Sequence, residues 1–221
     1  MHFHLPKPLH GWREFAGEVG IIVIGVLIAL GAEQVVEDWH WHQKVDVVRQ
    51  SLTGELANDR ARWESNMSYV PCARREIAAL DRWAGNARTN GPAPPAPVTF
   101  RSLFWWMHSA NWNLAIGSGT LDHFPMRDQL GFAAMYDGIV HRQADIESAS
   151  DLSGQAEGLV SLATDAEGRR DLRKVLGTLT AKINGLAGND GYMKSHFDAL
   201  GVKPDRSDIA ADDLKAPQCR S

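Results

Sequence analysis

The sequence predicts an all-α protein in which a single amino-terminal transmembrane helix continues into an extracytoplasmic antiparallel helical bundle. Three observations carry that class. Fourteen consecutive residues from Val19 to Ala32, VGIIVIGVLIALGA, hold no charge and no strong polar group. Beyond them, apolar residues recur at steps of three, four or seven for most of the chain, the period of helices with one buried face. No segment shows the period-two alternation of a half-buried strand and no internal repeat is present, so helices packed as a bundle are the economical architecture.

At 1.5 Å per residue, fourteen residues cover about 21 Å, short of the roughly 30 Å of bilayer hydrocarbon. Extension from Phe15 to Val36 gives about 33 Å and places Glu18 and Glu33 near the two boundaries, where carboxylates reach headgroups or are protonated. Trp12 precedes the run and Trp39 and Trp41 follow it. The interval from Trp12 to Trp39 is about 40 Å of helix, the spacing of two aromatic belts, and these three tryptophans are the expected interface anchors. Lys7, Arg13 and the free amine lie before the segment, whereas Glu33, Glu37 and Asp38 come before the first lysine after it, Lys44. Positive charge stays in the cytoplasm, which puts residues 1–14 inside, 15–36 across the bacterial inner membrane and the remainder in the periplasm. A cleavable signal peptide, with Ala29 and Gly31 before the cut, is the rival reading. Glu14 and Glu18 sit badly in such a peptide, and the helical pattern runs on past the cut. A buried helix of a soluble core is the third reading, allowed by the shortness of the run.

The rest has the composition of a folded domain: 44% of residues are hydrophobic, enough for a core, and the 23% charged are of mixed sign. A formal net charge of −4 argues against broad affinity for nucleic acid. Short basic clusters such as Arg74-Arg75 and Arg169 to Lys174 are then solvated helix faces.

Residues 37–84 are expected to form a juxtamembrane helix and a second helix. The first carries Trp41, Val45, Val48, Leu52, Leu56, Trp63, Met67 and Val70, and stops near Pro71. The second carries Ile77, Leu80, Trp83 and Ala84. Residues 85–98, rich in Pro and Gly, form the clearest linker. A helical bundle follows over 99–202. It opens on an aromatic helix from Phe100 to Ile116, with Phe100, Leu103, Phe104, Met107 and Leu114 on one face, broken by Gly117-Ser118-Gly119. A long helix is expected from about Phe124 to Ala163, with Leu130, Ala134, Ile139, Ile146, Leu152, Leu159 and Leu162 inward. The next, Arg169 to Leu186, turns Leu172, Val175, Leu176, Leu179 and Ile183 inward, and a short one covers Tyr192 to Leu200. Residues 203–221 are a polar tail.

Cys72 and Cys219 both fall on the predicted external side, where oxidising conditions favour a disulfide. Such a bridge would pin the tail to the second helix and stabilise the fold by at most about 5 kcal/mol. Two independent thiols are the alternative, since spacing in sequence does not bring two Cα atoms within reach.

The opening segment GWREFAGEVGIIVIGVLIALGAEQ resembles an uncharacterised family of short bacterial proteins with one amino-terminal membrane helix and a helical extracytoplasmic domain. A weaker likeness covers Leu114 to Tyr136, with a small-residue turn at Gly117 to Leu121 followed by a helix bearing a tyrosine. The resemblance implies an anchor and a helical domain, and no catalytic residues.

A helical projection brings Gly11, Glu14, Glu18, Gly25, Ala29 and Ala32 to one face of the membrane segment. Small residues allow close approach of another helix, and a carboxylate beside such a groove costs less against protein than against lipid. This face is expected either to pack on a partner helix or a second copy, or to leave its glutamates at headgroup level. A proton-carrying Glu18 in an accessory subunit is a further alternative.

The nine histidines show no ligand spacing for metal. His40 and His42, two apart on a helix, point away from each other, and His2, His4 and His10 lie in a Pro-containing end. No phosphate-cradling loop, dinucleotide fingerprint or paired-cysteine motif is present, and no cofactor is expected. Ser118 lacks the flanking glycines of a nucleophile elbow. Asp122 and His123 beside it are the one candidate acid-base group, giving a hydrolase-like alternative through the Ser118 to His123 turn, although Asp122 also suits a helix start before Phe124. Trp105, Trp106 and Trp112 cover more of a helix than one buried stripe requires. They are either core or a partner surface, and exposure of Trp105 or Trp106 separates the two. Together these features describe a membrane-anchored, non-enzymatic protein with a domain for protein interaction or scaffolding.

Overall fold

The computed structural model describes residues 11–86, 96 and 105–207, with only the backbone of residues 13 and 14. The expected cytoplasmic end, most of the 85–98 linker and the end of the tail with Cys219 lie outside the described residues. Helices occupy Trp12–Asn86 (α1), Ala110–Gly117 (α2), Met126–Leu162 (α3), Ala166–Gly188 (α4) and Asp190–Ala199 (α5), with a short 3-10 helix at Thr120–His123. No strand occurs among the described residues, and the protein is all-α. The chain divides into two compact units at Val47/Val48.

In the first unit α1 carries the apolar run, and it is long and apolar enough to cross a membrane, with none of that stretch buried. Within this chain the run is therefore not packed as the core helix of a soluble fold would be. Gly25 opens onto empty space, and Ala29, Ala32 and Glu18 are exposed, so the small-residue face is unfilled within this chain. Trp12 and Trp39 are exposed, and the Lys44 ammonium sits 4.6 Å from the centre of the Trp41 ring.

The second unit is organised by a seam on α1. Leu52, Leu56, Asp59, Trp63, Asn66, Val70, Ala73, Ile77, Leu80 and Ala84 alternate steps of four and three, and all are buried. That is the spacing of one continuous helix stripe, and it runs straight through Pro71, which lies inside α1. The expected break there is therefore absent. Proline removes one backbone hydrogen bond and costs about 3 kcal/mol in a helix interior. Burying Val70, Ile77 and Leu80 on both sides contributes about 1.5–3 kcal/mol each, which outweighs that loss and keeps the helix continuous.

Cross-links between elements fix their directions. Arg49 pairs with Asp128 at 2.8 Å, and the Tyr136 hydroxyl donates to Glu55 at 2.8 Å, so α3 ascends beside α1. Asp81 pairs with Arg173 at 2.9 Å and Asn184 accepts from Arg74 at 3.0 Å, so α4 descends. α5 continues that descent, with the Trp63 indole N–H donating to Asp190 and Arg60 reaching both Asp198 and the Val202 carbonyl. Lys182 to Asp145, 3.2 Å, ties α4 to α3. The core between them comprises the α1 seam, Phe132, Met135, Tyr136, Ile139 and Ile146 of α3, and Leu172, Leu176, Leu179 and Ile183 of α4.

Several expectations of facing are corrected. Leu130, Leu162 and Ala134 point outward, because the inward face of α3 is set by Phe132, Met135, Tyr136 and Ile139, about half a turn away around the helix. Asp122 caps no α-helix. It lies in the 3-10 helix, and α3 starts after Pro125. α4 begins before Arg169, where Asp165 accepts from the Glu167 and Gly168 N–H groups and so satisfies two donors of the first turn.

Candidate functional site

The largest departure from expectation is the aromatic segment. Residues 105–109 are not helical and helix begins only at Ala110. Burial alternates along them, with Met107 buried between exposed Trp106 and His108, as in an extended chain. An extended chain against a helix has backbone groups with no ladder to join, and each must find another partner. Here α1 supplies them. The Asn66 amide makes a two-bond clasp with Trp105, accepting from its N–H at 2.6 Å and donating to its carbonyl at 2.9 Å. Asp59 Oδ1 accepts from the His108 N–H at 2.9 Å. Glu55 Oε2 accepts from the Asn111 N–H at 3.0 Å, and Asn111 Nδ2 donates to the Ser51 carbonyl at 3.3 Å. From α3, Gln143 Oε1 accepts from the Met107 N–H at 2.8 Å. The rungs descend α1 as the segment ascends in number, so the segment is a strap laid antiparallel to α1.

The α1 carboxylates that hold the strap, Glu55 and Asp59, lie one turn apart. Glu55 holds the Tyr136 hydroxyl on Oε1 while Oε2 holds Asn111, and Trp112 stacks on the Tyr136 ring at 5.0 Å with planes 10° apart. Burial, with the Glu55 carboxylate beside it, pushes the Tyr136 phenol far above its ordinary range. Asp59 has no exposed surface. Burial pushes its carboxyl up to about 7, with the Glu55 charge adding to the rise, against the opposing pull of the His108 N–H and Arg62. Its Oδ2 is buried with no hydrogen-bond partner among the described residues, which is the physical reason the ionised form is poorly tolerated. A cavity of about 370 Å³ lined by Glu55, Arg62, His108 and Asn111 adjoins the group. The arrangement can hold a strap in a protonation-dependent way. It aims no nucleophile at a substrate position.

The sequence candidates are distributed differently. The Ser118 hydroxyl donates to the Ala115 carbonyl at 3.0 Å and shares a hydrogen bond of 2.8 Å with the Thr120 hydroxyl, so it stabilises the turn at Gly119, whose φ of +66° suits glycine. Trp105 is partly buried, whereas Trp106 is 52% exposed. α2 turns Leu114 (71% exposed) and Ile116 (55%) outward, overturning the inward placing of Leu114. His42 Nδ1 donates to the Asp38 carbonyl, and among the described residues no group of three His, Cys, Asp or Glu is placed to hold a metal. Cys72 is buried and disulfide-bonded, while Cys219 lies outside the described residues. Sequence reasoning passed over Asp59 and Asn66. Their signal was present as two seven-residue steps, Leu56 to Trp63 and Trp63 to Val70, in which a polar residue occupies the intermediate buried position.

Comparison with protein-family models, with curated proteins and with solved structures gave no match. The functional reading therefore rests on the geometry alone.

Proposed function

We propose that the protein is a single-pass, membrane-anchored protein with its amino terminus in the cytoplasm, and that its helical unit lies in the periplasm and serves protein interaction or scaffolding. The observation that carries the anchor is the wholly unburied apolar stretch of α1 in a chain whose helices beyond Val48 bury apolar stripes in a core. Fourteen apolar residues in water have no such compensation, and lipid supplies it. The exposed small-residue face with Glu18, Gly25, Ala29 and Ala32 supports contact with a second membrane helix, from a partner or from another copy. Trp106, Leu114 and Ile116 supply exposed apolar surface in the helical unit, which fits binding better than catalysis. The local bonding of Ser118 weighs against the hydrolase-like alternative.

Alkaline carbonate extraction of membranes from expressing cells tests the anchor. The chain is expected to stay with the membrane pellet, and release into the supernatant would remove the basis of the proposal.

A further inference from the structure

The second unit holds a cavity of about 600 Å³ between α1, α3 and α5, a size ordinary for small-molecule sites. Its polar lining is unbalanced: the Arg49 and Arg127 guanidiniums and the His196 imidazole stand against one carboxylate, Asp128. Asp128 is already engaged by Arg49 Nη2 at 2.8 Å, and the Arg49 guanidinium lies 5.3 Å from the centre of the Phe124 ring, which fixes its plane. Arg49 Nε is buried without a hydrogen-bond partner among the described residues. Arg127 is exposed and makes no ion pair among the described residues. Apart from Thr53, whose hydroxyl donates to the Arg49 carbonyl, the remaining lining is apolar, including Leu130 and Leu200. Leu130 of that lining is 63% exposed, and Met126, one turn before it on α3, is 66% exposed.

We propose that this cavity binds a phosphate ester carried on an apolar body, and that in the cell the ligand is the headgroup of an anionic phospholipid. Guanidinium groups match phosphate oxygens in a planar fork, and two of them beside an imidazole suit a group with several anionic oxygens. Leu130 and Met126 then meet the glycerol and upper acyl region. The lipid source rests on the proposed anchor. Arg49 lies thirteen residues beyond Val36, a separation that no chain conformation stretches past about 45 Å, so headgroups are held at high local concentration.

The test uses the full chain in neutral maltoside micelles, titrated calorimetrically with short-chain phosphatidylglycerol, short-chain phosphatidylcholine and inorganic phosphate. Saturable binding of one phosphatidylglycerol is expected, weakened about tenfold by Arg127→Gln and left within about twofold by Arg170→Gln, which removes the same charge from an exposed position on α4. Arg127→Gln removes no hydrogen bond or ion pair among the described residues, and an unchanged melting temperature verifies its fold. Equal binding of phosphatidylcholine, or indifference to Arg127→Gln, would overturn the site. Inorganic phosphate binding as tightly as phosphatidylglycerol would overturn the lipid source. A chain released by carbonate that still binds phosphatidylglycerol through Arg127 would refute the anchor and leave the site standing.

Discussion

Asp59 and Asn66 occupy buried positions of a helix seam that apolar residues fill elsewhere, and each is held there by the backbone of another segment. A buried carboxyl with one orphaned oxygen favours its neutral form, and this makes folding depend on pH. The Asp59 pKa rises from 3.8 to about 7 on folding. A raised folded value means that the stabilising contribution is fully present below about pH 4 and is lost as pH rises through about 7. The Asp59→Asn variant should therefore gain stability relative to the parent between pH 4 and 7, by up to about 1.4 kcal/mol per unit. Denaturant midpoints of the two proteins across that range measure it, and the difference cancels the titration of other carboxylates. Parallel profiles would show that burial does not hold the carboxyl neutral. Both residues were legible in principle, as polar residues in phase with an apolar stripe. Their chemical meaning was not, because the groups they bind are main-chain atoms 39 and 49 residues further on.

Among the elements, the helices were largely written in local sequence and the strap was not. α3, α4 and α5 follow the expected spans within a few residues, since their apolar positions recur at helical spacing and Asp165 marks a start. α1 differs because Pro71 is a strong local signal, overridden by a seam that stays buried on both sides of it. Residues 105–109 differ for the opposite reason. Their composition fits a helix, but acceptors on α1 and α3 take the N–H groups that a helix would use internally. If Asn66 is the principal clasp, Asn66→Ala should leave a buried N–H and carbonyl of Trp105 unpaired and cost about 2–4 kcal/mol. Hydrogen exchange at the amides of Trp105, Met107 and His108 should accelerate ahead of global unfolding, while the amides of α4 stay protected. Uniform acceleration across the unit would mean that the strap has no separate hold on α1. Asn66→Asp, which keeps the acceptor and loses the donor, is expected to fall between the two.

At the scale of the whole molecule, the chain joins an unburied apolar stretch to a closed core. The described part of α1 up to Val47 buries almost nothing within the chain, and the part from Val48 supplies the seam of a closed core. Legibility differs between them for a physical reason. A continuous apolar run needs only its own length and flanking charges to be interpreted, whereas a fold with an extended strap depends on pairings distant in sequence. The small-residue face with Glu18 and the outward Trp106, Leu114 and Ile116 are exposed, and they are where the proposed function places partner contact. The account stands or falls on one threading of the bilayer with the amino terminus inside. Proteolysis of intact spheroplasts carrying the chain with an amino-terminal tag measures this most directly. The account predicts that external protease removes everything beyond about residue 37 and leaves a short, tagged, membrane-bound fragment. Survival of the full-length chain until the spheroplasts are lysed would contradict it.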